Sequence, residues 1–177
     1  MSDTMESINI ETLVKQSVAN NADSFRVLYE HLSQRIFAFV VTRVNDRMTA
    51  IEVTQDAFVE LYKSLPKFKY QSDPAFYAFV FTIVRRQLAA RYSEQKKHVR
   101  VDVEESTIPE HTFATEEMHA VHTALETLDE CSREIVVLHH WSRFTFAEIG
   151  ALINMTESAV RVRHHRARAS LASALHL

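Results

Sequence analysis

Of 177 residues, one is glycine and three are proline. A chain with so few residues suited to sharp or left-handed turns cannot make the closely spaced turns of a sandwich, a barrel or a hairpin-rich sheet. It has to fold as long helices with few connections, so the expected fold class is all-α. A hydrophobic content of 46% is enough to build a core. The length suits one ordinary domain or two small ones.

The one glycine, Gly150, lies in the stretch from Thr145 to Arg168, TFAEIGALINMTESAVRVRHHRAR. Thr145 and Glu148 have the spacing of a capping box, so a helix starts there. Asn154 stands where a turn needs a left-handed residue, which Asn tolerates better than most. Thr156 can cap a second helix. Ile149, Ile153, Met155 and Val160 form an apolar lock between the two, and Gly150 lies where a small side chain allows close approach. The pattern predicts a helix-turn-helix, whose second helix can lie in a DNA major groove. That helix carries Arg161, Arg163, Arg166 and Arg168. At about 100° per residue they cannot all share one face, so some are expected to reach bases and others phosphates. The plain alternative is a solvated basic helix on an ordinary bundle. Caps, glycine, Asn154 and the apolar lock all agree on the DNA reader instead.

The rest of the chain reads as helices in two groups. Phe25, Leu28, Tyr29, Leu32, Ile36, Phe37, Val40 and Val44 recur at helical spacing, as do Ala50, Val53, Ala57, Phe58, Leu61, Tyr62 and Leu65. Pro66 stops the second run. Asp73 and Pro74 predict a helix start with a capping carboxylate and proline at the first position, running to about Arg91. From about Ser93 the pattern lapses, and VDVEESTIPEHTFATE (101–116) reads as an acidic linker broken by Pro109. Helicity resumes near Met118, with Val121, Leu125 and Leu128 on one face. A further helix, with Ser132 as its expected cap, carries Ile135, Val136 and Leu138. Ahead of all this, Ile8, Ile10, Leu13, Val14 and Val18 can form a short extra helix. The expected architecture is two small helical domains joined by an acidic flexible linker, the second containing the helix-turn-helix. The expected boundaries are 1–21 for an N-terminal extension, 22–100, the linker 101–116, and 117–177.

A formal net charge of −3 does not by itself suggest nucleic acid. The distribution does. Residues 1–60 hold five Lys or Arg against nine Asp or Glu, a net −4, and residues 61–101 hold nine against two, +7. Residues 102–134 hold one against ten, −9, and residues 135–177 five against two, +3. Two basic blocks separated by an acidic one suggest two separate contacts with a polyanion.

Several classes are disfavoured. The single Cys131 cannot build an intramolecular disulfide framework and fits a reducing cytosol. No signal-like segment opens the chain, and the apolar run from Ala75 to Val84 is far short of the ~20 residues of a membrane span. One glycine cannot form a phosphate-cradling loop, and no nucleophile elbow or HExxH occurs, so an enzyme is not expected. The pairs His139-His140 and His164-His165 are helix neighbours about 100° apart, so neither chelates simply, and neither a metal site nor a cofactor is expected.

Longer motifs sharpen the reading. The run VRVRHHRARASL after an EIG-x-L-x-N-M-T-E-S-A turn resembles the fourth conserved region of bacterial sigma factors, and LETLDECSREIVVLHH resembles the helix pair before it. SFRVLYEH, AIEVTQDAFVELYKSLPKF and DPAFYAFVFTIVRRQLAARY resemble the second conserved region, in order and spacing. With only these two regions, over about residues 22–175, the chain resembles the extracytoplasmic-function group of the sigma-70 family.

That resemblance implies a cytoplasmic, non-catalytic protein. It would bind core RNA polymerase through the β′ clamp helices and the β flap, recognise promoter DNA, and promote melting and transcription initiation. It further implies an anti-sigma factor as a partner. Glu52, Gln55, Asp56 and Glu60 match the polymerase-binding helix; without the resemblance, they read as a solvated acidic face. Lys67, Phe68, Lys69, Tyr70, Arg85 and Arg86 match the part that engages the minus-ten element, where melted bases need stacking partners and single strands need positive charge. Arg91 is a further phosphate candidate, while Phe76, Phe79 and Phe81 read as core. Arg161, Val162, Arg163, His165 and Arg166 match the minus-thirty-five reader, with Arg161 and Arg166 expected in the groove and Arg163 at phosphate or in structure. Relatives commonly have Trp at the place of Phe79, Asn at that of Arg86, and an apolar residue at that of His164. Asp102, Glu104, Glu105 and Glu110 would run along the polymerase cleft or remain a solvated linker. A conventional helix-turn-helix regulator with a sensory domain, or an adaptor that binds polymerase without DNA, are the other candidate functions.

Overall fold

The computed structural model describes residues 8–19, 21–44, 46–99 and 116–174, and every described element is helical. The expected linker falls almost wholly outside these residues, as do Asp102, Glu104, Glu105 and Glu110. The helices are α1 (Ile10–Val18), α2 (Ala22–Val41), α3 (Arg47–Ser64), α4 (Asp73–Val99), α5 (Glu116–Glu126), α6 (Glu130–His140), α7 (Phe146–Ile153) and α8 (Glu157–Ala174), with a 3-10 turn at Leu65–Lys67.

Short polar side chains start the helices, as orphan backbone donors require. Asn9 accepts from Thr12 N, Asn21 from Ser24 N and Asp46 from Thr49 N, at 2.9, 3.0 and 2.8 Å. Two expected caps move. Ser72, not Asp73, accepts from Ala75 N at 3.3 Å, and Asp73 sits inside α4, where its carboxylate accepts instead from the Tyr70 hydroxyl. Asp129, not Ser132, caps α6: Ser132 N donates to it at 3.1 Å. A carboxylate is the better cap here because it also faces the positive end of the helix dipole. Helix α4 continues to Val99, beyond the expected Arg91. Its last turns are polar enough to hide the apolar period, yet hold strong helix formers such as Gln95, Lys96 and Lys97.

The first four helices pack around Leu28, Leu32, Ile36 and Phe39 of α2, Val53 and Leu61 of α3, and Phe76, Phe81 and Val84 of α4, all essentially inaccessible. Each such side chain contributes about 2 kcal/mol by leaving water. Helix α1 belongs to this group: Ile10 and Val14 are buried against α2 and the 3-10 turn, while Ile8 stays exposed. The last four helices close around Leu125, Ile135, Leu138, Ile149 and Val160. Phe144, in the α6–α7 turn, lies edge-on to Tyr77 and Phe81 of α4 and makes the two cores continuous.

Candidate nucleic-acid interface

The α7–α8 unit is assembled by backbone geometry first. Glu148 N donates to Thr145 Oγ1 (3.3 Å) and Thr145 N donates to Glu148 Oε2 (2.8 Å), completing the capping box. Asn154 is left-handed at φ 57°. This folds the chain back so that Met155 N donates to Gly150 O at 2.8 Å. A Cβ on Gly150 would lie 2.5 Å from Met155 O, so no side chain fits there unless the turn moves. Ile149 and Val160 then meet in the core, and Thr156 Oγ1 accepts from Ala159 N to start α8.

Helix α8 buries Val160, His164 and Ala167. Arg161, Val162, His165 and Arg166 lie exposed on the opposite arc. The side chains of Val162, His165 and Arg166 make no hydrogen bond or ion pair among the described residues, so they face outward uncommitted. Arg161 is exposed but tied: its Nη2 lies 2.6 Å from Glu157 Oε1, and its guanidinium lies over Phe146. Arg163 is set to the side, half-buried, with Nη1 2.9 Å from Asp129 Oδ1.

His164 finds a partner that its neighbours in sequence do not supply. Its Nε2 lies 2.9 Å from His140 Nε2 on α6, so one imidazole donates and the other accepts. His139 packs against both rings and meets Phe144 O at 2.9 Å through Nδ1. Burial, then the nearby His139, His140, Arg168 and His165, push His164 down to about 4. Burial also lowers His140. The cross-pair, one histidine from each adjacent pair, thus locks α8 onto α6 in the neutral form. Among the described residues, no group of three or more His, Cys, Asp and Glu is placed to hold a metal ion.

The second stretch, Leu65 to Asp73, is irregular. Pro66 sits in the 3-10 turn. Phe68 follows in extended conformation and stacks on Phe79, centroids 4.6 Å apart and planes 20° apart. Phe76 and Phe81 are buried, while Phe79 is only half-buried. Lys67 and Lys69 are exposed and unpaired among the described residues. Tyr70 donates to Asp73, which, with lesser help from burial, pushes its phenol up to about 12. Lys67, Phe68, Lys69, Ala75 and Phe79 line an open pocket of about 600 Å³, whose floor is the phenylalanine stack. An aromatic floor with a lysine rim is what an unstacked base and its phosphate need.

Two family profiles match this layout: "Sigma-70 region 2" over residues 28–98 and "Sigma-70, region 4" over residues 118–171. The chain belongs to the sigma-70 family. This sigma factor is similar to the ECF RNA polymerase sigma factor BldN of Streptomyces coelicolor, 26% identical over 180 residues that cover 96% of this chain and 67% of that one. It is also similar to the RNA polymerase sigma-H factor of Pseudomonas aeruginosa, 25% identical with 93% of each chain covered. Among solved structures, CnrH in complex with the cytosolic domain of CnrY aligns with a TM-score of 0.67 and 25% identity, over 93% of this chain and 95% of that one. The relatives and the two-region make-up place the sigma factor in the extracytoplasmic-function group.

The remaining expected residues of the sigma factor separate clearly. Glu52, Gln55, Asp56 and Glu60 form one exposed stripe along α3, with Met48 and Val59 exposed among them. Glu52 is paired with Arg91 at 2.9 Å and Glu60 accepts from Ser64 Oγ at 3.0 Å. Arg86 is exposed. Arg85 is engaged elsewhere: its Nη2 lies 2.6 Å from Glu134 Oε1, on α6. Pattern reading missed that contact and its surroundings at Arg35, Ser142 and Phe144. No local period marks them, because they meet only when α6 and α7 fold against α2 and α4.

Proposed function

We propose that this chain works as an extracytoplasmic-function sigma factor in the cytoplasm. It binds core RNA polymerase, recognises the minus-ten and minus-thirty-five elements, and promotes melting and initiation without catalysing a reaction itself. Residues 22–100 form the polymerase and minus-ten domain and residues 117–177 the minus-thirty-five domain, with 101–116 as the acidic linker and 1–21 as an extension. The observation that carries this is the joint occurrence, in order, of both region matches, the first with exposed Lys67 and Lys69 and the second with exposed Arg161 and Arg166.

Within it, Val162, His165 and Arg166 read the minus-thirty-five element, flanked by Arg161 and Arg163. Val162 can touch a thymine methyl, and Arg166 can pair with guanine. Phe68 and Tyr70 receive melted bases of the minus-ten element, while Lys67, Lys69, Arg85 and Arg86 hold its phosphates. Glu52, Gln55, Asp56 and Glu60 meet the β′ clamp helices and the second domain meets the β flap. Supporting the former is the apolar pair Met48 and Val59 exposed within the acidic stripe, a mixture suited to a protein partner. An anti-sigma factor is a further partner, in keeping with the bound CnrY domain in the similar CnrH structure.

The test is run-off transcription with core polymerase, on promoters obtained by sequencing transcripts after forced expression. The expected result is initiation at promoters that core enzyme alone ignores. Absence of any such initiation overturns the proposal.

A further inference from the structure

Helix α1 carries none of the residues assigned above to polymerase or DNA, yet it is built into the first helix group. At nine residues it is too short to be stable alone in water, so its order comes from what it packs against. Asn9 caps it, and Ser24 Oγ donates to Gln16 Oε1 at 2.7 Å, which ties its last turn to the start of α2. Ile10, Val14 and Ser17 form its buried face.

The helix does not rest on α2 alone. It also packs on the 3-10 turn at Leu65–Lys67, whose buried residue is Leu65. The Leu65 carbonyl accepts from Phe68 N at 3.0 Å, so the place of Leu65 fixes where the extended Phe68 begins. Phe68 then lies on Phe79 as the floor of the pocket that Lys67 and Lys69 rim. Glu11, on the exposed side of α1, acts further along the same stretch: after the Asp73 hydrogen bond and burial, its carboxylate is among the charges that raise the Tyr70 phenol. From Phe68 to Ser72 the backbone is neither helix nor strand, and backbone of this kind opens locally at low cost. The floor is shared between Phe79 on α4 and Phe68 on this stretch, so it exists only while the two are held together. A pocket held in its binding shape before the ligand arrives binds more tightly.

We propose that α1 braces the minus-ten pocket: its buried face, with Val14 at the centre, holds Leu65 and through it keeps Phe68 on Phe79. It thereby sets the affinity for an unstacked base and its phosphate without touching either. Val14 is a positioning residue. This rests on the assignment of the Leu65–Asp73 stretch to melted minus-ten DNA made above. The apparent affinity scales with the fraction of chains in which the pocket is assembled. Coupling is reciprocal, so DNA in the pocket also steadies α1.

The experiment compares the full native chain with Val14→Ala and with Val44→Ala. Both remove two methyl groups from the same core, but Val44 is buried past the opposite, C-terminal end of α2. Binding of a mixed-sequence single-stranded 15-mer is read by fluorescence anisotropy, under conditions where far-UV circular dichroism shows each variant folded. It should be about fivefold weaker for Val14→Ala than for Val44→Ala. Hydrogen exchange of the native chain across residues 10–18 should slow at least about threefold when the 15-mer is bound, a response that a helix serving only the fold would not give. Lys15→Ala should leave the affinity and its salt dependence unchanged. Equal affinities of the two valine variants overturn the proposal, as does exchange in α1 that ignores the DNA. A shallower salt dependence for Lys15→Ala makes α1 a direct phosphate contact and overturns it too. If Val14→Ala does not fold, Ile10→Val, which removes a single carbon, is compared with the native chain, and the exchange measurement needs no variant. Phe68→Ala separates this inference from the reading beneath it. If that variant binds the 15-mer as the native chain does, the minus-ten assignment fails and the brace with it. If it binds weakly while Val14→Ala matches its control, the brace alone fails.

Discussion

The two surfaces proposed to meet DNA are built from opposite materials. On α8 the outward groups stand on a regular helix whose other face is locked by Val160, Ala167 and the His140–His164 pair. Between Leu65 and Asp73 the backbone is irregular, and what is organised is an aromatic stack, Phe68 on Phe79, with lysines around its pocket. A helix presents side chains at fixed spacing, which suits the fixed edges of a closed duplex. An aromatic floor accepts any base that leaves the stack, which suits melted DNA. The difference implies that damage to the packing beneath α8 should act through rigidity, and damage to the loop through contact.

The largest effect should come from Gly150→Ala. The added methyl would meet Met155 O at 2.5 Å, a backbone atom that cannot rotate away. We expect about 3 kcal/mol of destabilisation and loss of duplex minus-thirty-five binding. Urea unfolding and a gel shift measure these, and binding to a single-stranded minus-ten oligonucleotide should persist. Equal loss at both surfaces would break the contrast, because it would mean that the second helix group supports the loop as well.

Next in size is the response to acid. An unfolded histidine titrates near 6.5, whereas His164 in the fold titrates near 4 because burial and cationic neighbours disfavour its charge. Between these values the unfolded chain binds more protons, so stability falls as pH drops from about 6.5 to about 4 and is full above that window. His164→Leu, which replaces a buried neutral ring by an apolar side chain, should remove about 2 kcal/mol of this acid sensitivity. Urea midpoints at pH 7.5 and pH 5 for both proteins read the difference. An unchanged pH slope would mean that the histidine pair does not lock α8.

These two predictions rest on features of unequal legibility. The capping box, the left-handed Asn154, the tight Gly150 and the exposed Arg166 follow from local chemistry and the helical period, and all were readable along the chain. Phe76 and Phe81 were readable as core for the same reason. The histidine lock was not: adjacent histidines on one helix diverge, and only the packing of α6 on α8 brings His140 to His164. The displaced caps at Ser72 and Asp129 show a subtler limit, since Asp73 and Ser132 are equally good capping residues and the choice depends on where the preceding chain enters. The seam at Arg35, Ser142 and Phe144 carries no period at all. The surfaces proposed at α8 and the loop follow from motifs that are local; what was hidden is how the two are held.

Arg166→Ala tests the helix surface directly. Arg166 is exposed and uncommitted, so its removal costs contact without disturbing the fold. Binding to the cognate minus-thirty-five duplex should weaken about tenfold, with selectivity relaxed at one base pair, while affinity for core polymerase is unchanged. A uniform loss on all sequences would make Arg166 a phosphate contact and move base reading to Val162 and His165. Loss of polymerase binding would show that α8 has been misassigned.

The smallest effect separates arginines already paired from lysines that are not. Lys69 is unpaired among the described residues, so its contact with a single-stranded phosphate releases a counterion outright. Lys69→Ala should reduce the salt slope on a minus-ten oligonucleotide by about 0.7. Arg161 must first leave Glu157, 2.6 Å away, and the freed carboxylate then gathers a cation of its own. The net release is smaller, so Arg161→Ala should reduce the slope on duplex DNA by well under the ~0.9 of an unpaired cation. Glu157→Gln removes the competitor and should restore the full decrement for Arg161→Ala made on that background. If Arg161 gives the full decrement in the native chain as well, its pairing with Glu157 does not persist in solution, and the two surfaces differ in shape alone rather than also in how their charge is held before DNA arrives.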